Sequence, residues 1–148
     1  MRPSFAANVA AEALSAGVAK VVLRVNAATA RPVEVAELGV SFNGVSNTAV
    51  PVTVELVRLD DNGTMTALTL VKQNDSLAEA IGATAAEPDS VEPTTGDVLR
   101  TWYVHPQTGL IEVFAPDARP VIGGGDRIGI QCTAPAGVSC NVYLVGIE

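Results

Sequence analysis

Positive charge is scarce in this chain: nine lysines and arginines face sixteen aspartates and glutamates over 148 residues, a formal net charge of −7. A nucleic-acid binder must neutralise phosphates, so nucleic acid is not an expected partner. Aromatic residues make up 4% of the chain, and histidine occurs once, at His105. A Ser-His-Asp relay would therefore rest on His105 alone, and no Gly-x-Ser-x-Gly elbow supports one. The two cysteines, Cys132 and Cys140, are too few for a disulfide scaffold and lack the four-ligand company of a structural zinc. No stretch reaches the roughly 18 apolar residues of a membrane helix. Glu12 and Lys20 interrupt the alanine-rich opening, which spoils it as a signal-peptide core. The expectation is a soluble chain with no membrane partner and no cleaved export signal.

Apolar residues are plentiful, at 48% against only 17% charged, where about a quarter charged is usual. A chain of 15.2 kDa is one ordinary domain, and as a compact monomer it keeps roughly 7,000 Å² exposed. The sequence divides into an N-terminal arm, 1–17, and a single β domain, 18–148. Within the arm, Ala11-Glu-Ala-Leu14 has the composition of one weak helical turn.

Strand patterns then follow in series. Val18–Val25 is rich in β-branched residues, and Pro32–Phe42 is two-faced in its first half and one-faced in its second. Asn43-Gly44 reads as a turn. In Val50–Arg58, Val50, Val52, Val54 and Leu56 alternate with Thr53 and Glu55, a half-buried strand. Asp60-Asp-Asn-Gly63 is a turn signal, and Met65–Val71 completes a hairpin with the strand before it. Val98–Val104, Leu110–Phe114 and Pro120–Ile122 are further short strands. The chain closes on Arg127–Thr133 and Val138–Val145, which a turn at Pro135–Gly137 would join as a hairpin. Such a hairpin sets Cys132 opposite Cys140 on the apolar face, either as reduced packing residues or as a cross-strand disulfide. About eight short strands separated by Gly, Pro, Asn and Asp turns point to an all-β, antiparallel, jelly-roll-like sandwich.

Residues 73–99 break the rhythm, with six acids, two prolines and no lysine or arginine. They read as a long loop, or as a loop holding a short helix at Ser76–Ile81, and irregular segments of this length serve as lids, binding arms or contacts with another chain. Sites of chemistry are thin. Gly123-Gly-Gly-Asp126 lacks the Lys-Ser/Thr ending of a phosphate loop and reads as a flexible turn or a close backbone approach. Asp60-Asp-Asn-Gly63 lacks EF-hand spacing. Glu112 with Asp117 or Asp126 could supply paired carboxylates but has no aromatic platform. Trp102 and Tyr103 fall on opposite faces of their strand, one inward and one outward. Neither a catalytic group, a metal nor a cofactor is expected.

The stretches Ala13–Leu23, Gly39–Gly44, Pro51–Leu56, Gly96–Pro106 and Gly123–Pro135 together resemble a group of small virion structural proteins of tailed phages and prophages. The resemblance spans most of the chain and lies in sequence texture rather than in a catalytic motif. It implies a head decoration, or cement, protein: a jelly-roll-like homotrimer made in the host cytoplasm and seated on the capsid exterior, with the major capsid protein as partner. On that reading Arg2, Phe5 and Asn8 are candidates for capsid contact, and Trp102, Tyr103 and His105 for the trimer interface. Two other classes remain: a carbohydrate- or receptor-binding sandwich of a head fibre or tail, and a sandwich enzyme centred on His105.

Overall fold

The computed structural model of the chain describes residues 1–43 and 50–148; the Gly44 half of the expected Asn43-Gly44 turn lies outside them. In chain order the strands are β1 (Ser4–Leu14), β2 (Ala19–Asn26), β3 (Val33–Asn43), β4 (Val52–Leu59), β5 (Thr64–Leu68), β6 (Val71–Lys72), β7 (Thr84–Val91), β8 (Thr95–Val104), β9 (Leu110–Val113), β10 (Val121–Ile122), β11 (Arg127–Thr133) and β12 (Val138–Ile147). They form two antiparallel sheets. One runs β10-β3-β12-β1-β6, with β9 continuing the β10 edge along β3, and the other runs β5-β7-β2-β11-β4-β8.

The pairings explain the layout. Strand β1 lies beside β12, β2 beside β11, β3 beside β9 and β10, and β4 beside β8. That is a long hairpin rolled up so that successive rungs land in alternate sheets, the expected eight-strand jelly roll with β9 and β10 sharing one place. Residues 64–91 are an insertion. Their strands β5 and β7 extend one sheet beyond β2, and β6 extends the other beyond β1.

Between the sheets lies one core of Val, Leu, Ile and Ala with Phe5 and Phe114. Its largest side chains, including Leu23, Leu38, Leu56, Ile128 and Leu144, come from both sheets, as inward residues of alternating strands must. The folded chain exposes 7149 Å², matching the compact-monomer expectation of roughly 7,000 Å².

Five expectations change. The N-terminal segment is a strand inside the first sheet rather than an arm, because Phe5, Ala7 and Val9 all face the core. Ala11–Leu14 is strand as well. Between Val9 and Glu12 the register with β12 slips, Ala11 takes φ 54°, and its N–H donates to Asn141 Oδ1 at 2.7 Å. Alanine's helix preference thus yields to a β-bulge whose freed donor has a side-chain partner.

The acidic segment is largely sheet. Residues 84–91 form β7 and 95–104 form β8, and Ser76–Ile81 is not helical. Small alanines at 83 and 85 fill the inward positions of this stretch, where a β-branched residue would have announced a strand. The connection from β7 to β8 is tied down by its own polar groups. Glu92 accepts the Val21 N–H at 2.9 Å, and Asp61 Oδ1 accepts the N–H groups of Gly63 and Thr94 at 2.9 and 3.1 Å.

Neither expected hairpin exists. Strand β5 pairs with β7 rather than with β4. Strands β11 and β12 belong to different sheets, so the turn at 134–137 crosses the core instead of closing a ladder. Finally, β3 switches faces: Val33 and Val35 are buried, then Leu38 and Val40, because Ala36 is an extra residue against β12. The two-faced first half and one-faced second half of Pro32–Phe42 reflect this bulge.

Candidate functional site

Rolling the hairpin leaves two open sides. On one, the second sheet ends at β8 and the first at β9 and β10; on the other they end at β5 and β6. An open edge presents unpaired N–H and C=O groups, and what its side chains do with them decides whether it repels or recruits another strand.

The β8 side carries apolar side chains into solvent. Tyr103 is 77% exposed and Ile111 70%, and Val98, Val113 and Val121 are also exposed. On β8, the residues that pair with the core-facing Val54 and Val52 are Trp102 and Val104, so they turn inward, with Trp102 packed on the core. Tyr103 necessarily turns out. The opposite facing expected of Trp102 and Tyr103 is therefore present.

Between β8 and the segment leading into β10 runs a surface groove of about 240 Å³ lined by Arg58, Leu99, Arg100 and Asp117–Pro120. Arg58 Nη2 donates to the Val121 carbonyl at 3.2 Å and Arg100 Nη1 to the Leu99 carbonyl at 2.8 Å. Arg119 pairs with Glu34 at 3.4 Å. Arg58 and Arg100 form no ion pair among the described residues.

His105 begins the turn that joins β8 to β9. Its Nδ1 accepts the Gln107 N–H at 3.2 Å, and its carbonyl accepts the N–H groups of Thr108 and Gly109 at 3.0 and 3.2 Å. The side chain is half-buried and shapes a turn.

The N-terminal candidates separate. Arg2 is half-exposed and tied down, its Nε donating to the Glu148 carbonyl at 3.0 Å and its guanidinium pairing with Glu34. That guanidinium, by its hydrogen bond first, holds the Glu34 carboxyl below the usual carboxylate range, and Arg119 adds to the effect. Asn8 is exposed on β1. Phe5 is wholly buried, its ring over Gly146, the residue paired with it across the strands. The side chain expected to anchor a partner anchors the two sheets to each other instead, because position near a terminus says nothing about pairing.

The cysteines are free thiols, both buried, one in each sheet. Interaction with the Cys140 thiol across the core, with burial, pushes the Cys132 thiol well above its ordinary range. Above them an ion pair of Lys20 with Glu12 links the neighbouring strands, Lys20 beside Cys132 and Glu12 beside Cys140.

The remaining sequence candidates are dispersed. Gly123–Asp126 is a tight turn in which Asp126 N–H reaches the Gly123 carbonyl at 3.1 Å, and a Cβ on Gly124 would sit 2.1 Å from the Thr29 carbonyl oxygen, the close backbone approach that glycine permits. Glu112 stands on β9, Asp117 on the short 3-10 turn Pro116–Ala118, and Asp126 before β11. Among the described residues, no group of three or more His, Cys, Asp or Glu could hold a metal ion, and no helix is long and apolar enough to cross a membrane.

The sequence signalled through strand parity that one of Trp102 and Tyr103 is exposed, but not which, and not Ile111, Val113 or the arginine groove. Which face of β9 meets solvent depends on its place at a sheet edge, which the local pattern does not carry. No protein-family model, curated protein or solved structure matches the chain.

Proposed function

We propose that this chain is a non-enzymatic virion structural protein that decorates and stabilises a tailed-phage head, binding the outer surface of the major capsid protein lattice as a homotrimer. The observation that carries this reading is the open side of the sandwich, where Tyr103, Ile111, Val113, Val98 and Val121 stand exposed on edge strands. Exposed apolar edges on a rigid jelly roll suit a part that works by being covered. The sequence resemblance to phage decoration proteins supplies the partner.

A cement protein needs surface rather than chemistry. It binds the assembled shell and not its dissociated subunits, so it stabilises the shell by RT ln(1 + [L]/Kd). Half-exposed Arg2 and exposed Asn8, at the start of β1, remain contact candidates for the lattice. Phe5 serves only by holding that strand in place.

The test is to add purified protein to phage heads assembled without it and to follow co-sedimentation and thermal disruption. Saturable binding with a raised disruption temperature supports the reading, and heads that neither bind the chain nor gain stability contradict it.

A further inference from the structure

Asn-Gly is a dipeptide prone to lose its amide nitrogen, because glycine has no side chain to keep its backbone nitrogen away from the asparagine carboxamide. The segment Asp60-Asp-Asn-Gly63 holds one such pair, with Asn62 exposed. In the reaction the Gly63 nitrogen bonds to the Asn62 Cγ, its proton leaves with the amide nitrogen as ammonia, and one water opens the resulting succinimide to aspartate or isoaspartate. Neither an oxidant nor a cofactor is needed. The packing leaves no room to remove the hazard by replacing the glycine: Gly63 takes φ 54°, and a Cβ there would fall 2.4 Å from the Val91 carbonyl oxygen.

Both groups that the reaction must bring together are already engaged. The Gly63 N–H donates to Asp61 Oδ1 at 2.9 Å, and the same oxygen accepts the Thr94 N–H at 3.1 Å, which fixes the carboxylate in place. Its hydrogen bonds, those from Thr94 first, hold the Asp61 carboxyl below the usual carboxylate range, so it is too weak a base to take the Gly63 proton. On the other side, Asn62 Oδ1 accepts a hydrogen bond from Asn26 Nδ2 at 2.9 Å, and the Asn62 carbonyl accepts one from the Arg24 guanidinium. Both donors stand on β2 and tie Asn62 to that strand. We infer that Asn62-Gly63 is a latent deamidation site that the fold keeps unreactive, Asp61 by holding the Gly63 nitrogen and Asn26 with Arg24 by holding Asn62. The inference does not depend on the capsid reading.

The experiment incubates the full chain, folded and in urea, in the same mildly alkaline buffer, and reads conversion at residue 62 by peptide mapping as a gain of about 1 Da. The folded chain should convert at least about tenfold more slowly than the unfolded one. Asp61→Ala and Asn26→Ala, each checked for folding by circular dichroism, should each speed conversion of the folded chain by about fivefold, the worth of one lost hydrogen bond. Asp61→Asn, which keeps an Oδ1 acceptor, should stay near the wild-type rate. Because Asp61 also holds Thr94, Asn26→Ala carries the test where Asp61→Ala does not fold. A folded chain that converts as fast as the unfolded one, or folded alanine variants that convert no faster than wild type, overturns the inference.

Discussion

At the scale of single residues, two glycines show how tightly aromatic rings lie on this scaffold. A Cβ on Gly146 would fall 2.3 Å from the Phe5 ring, and one on Gly39 would fall 2.0 Å from the Tyr143 ring. The consequences differ because the rings differ in freedom. Phe5 is fully enclosed, whereas Tyr143 lies half-exposed on the outer face with its hydroxyl donating to Glu37. Gly146→Ala should therefore cost about 1–3 kcal/mol through overpacking, and Gly39→Ala less, because Tyr143 can swing outward; urea unfolding of both variants checks the order. The bulge offers a second test. Ala11 holds φ 54°, a region that costs a non-glycine residue roughly 1 kcal/mol, so Ala11→Gly should be neutral or stabilising. Asn141→Ala, which leaves the Ala11 N–H without its acceptor, should destabilise by about 1 kcal/mol. Tyr143 also titrates late: desolvation first, then its hydrogen bond to Glu37 and the charge there, push its phenol up to about 12. A folded-state value above the ordinary 10.0 means that the neutral phenol's contribution to stability is complete below pH 10 and is lost as pH rises through the folded value. Ultraviolet titration should show one late-ionising tyrosine, and Glu37→Gln should bring it down.

At the scale of elements, Val18–Val25, Val50–Arg58 and Arg127–Thr133 were readable because they are rich in β-branched residues or alternate apolar with polar positions, and they became β2, β4 and β11. Strands β1 and β7 were hidden by alanine, which fills inward positions without carrying a strand preference. Partners were less legible than strands. A turn signal marks reversal but does not name the next strand's partner: after Asp60–Gly63 the chain stays in the same sheet yet pairs with β7 at its far edge, and after Pro135–Gly137 it crosses to the other sheet. That crossing gives the cysteines their meaning, since they bridge sheets rather than neighbours in a ladder. With both thiols buried and Cys132 shifted upward by its partner and by burial, a thiol reagent should label them in the native protein only as fast as the chain opens. Labelling within seconds under native conditions would show that this end of the sandwich is not closed.

At the scale of the whole molecule, the sequence conveyed the sandwich more clearly than it conveyed the surface. Parity showed that one of Trp102 and Tyr103 meets solvent, while which of them does, and the exposure of Ile111 and Val113, became visible only once β8 and β9 were placed on edges. On that side Val98 and Tyr103 on β8 and Ile111 and Val113 on β9 are exposed to solvent. Removing the apolar component there by Ile111→Ser with Tyr103→Ser should leave the melting temperature nearly unchanged, because surface positions away from packing contribute within about 0.5 kcal/mol. It should nevertheless reduce self-association, and a scanning calorimetry trace beside a light-scattering mass checks both halves. The capsid role is tested most directly by cryo-microscopy of phage heads produced with and without this chain. Repeated density of 15.2 kDa per copy, grouped in threes on the outer surface and missing from the heads that lack the chain, is the expected outcome. Two sets of heads with identical exteriors would contradict it.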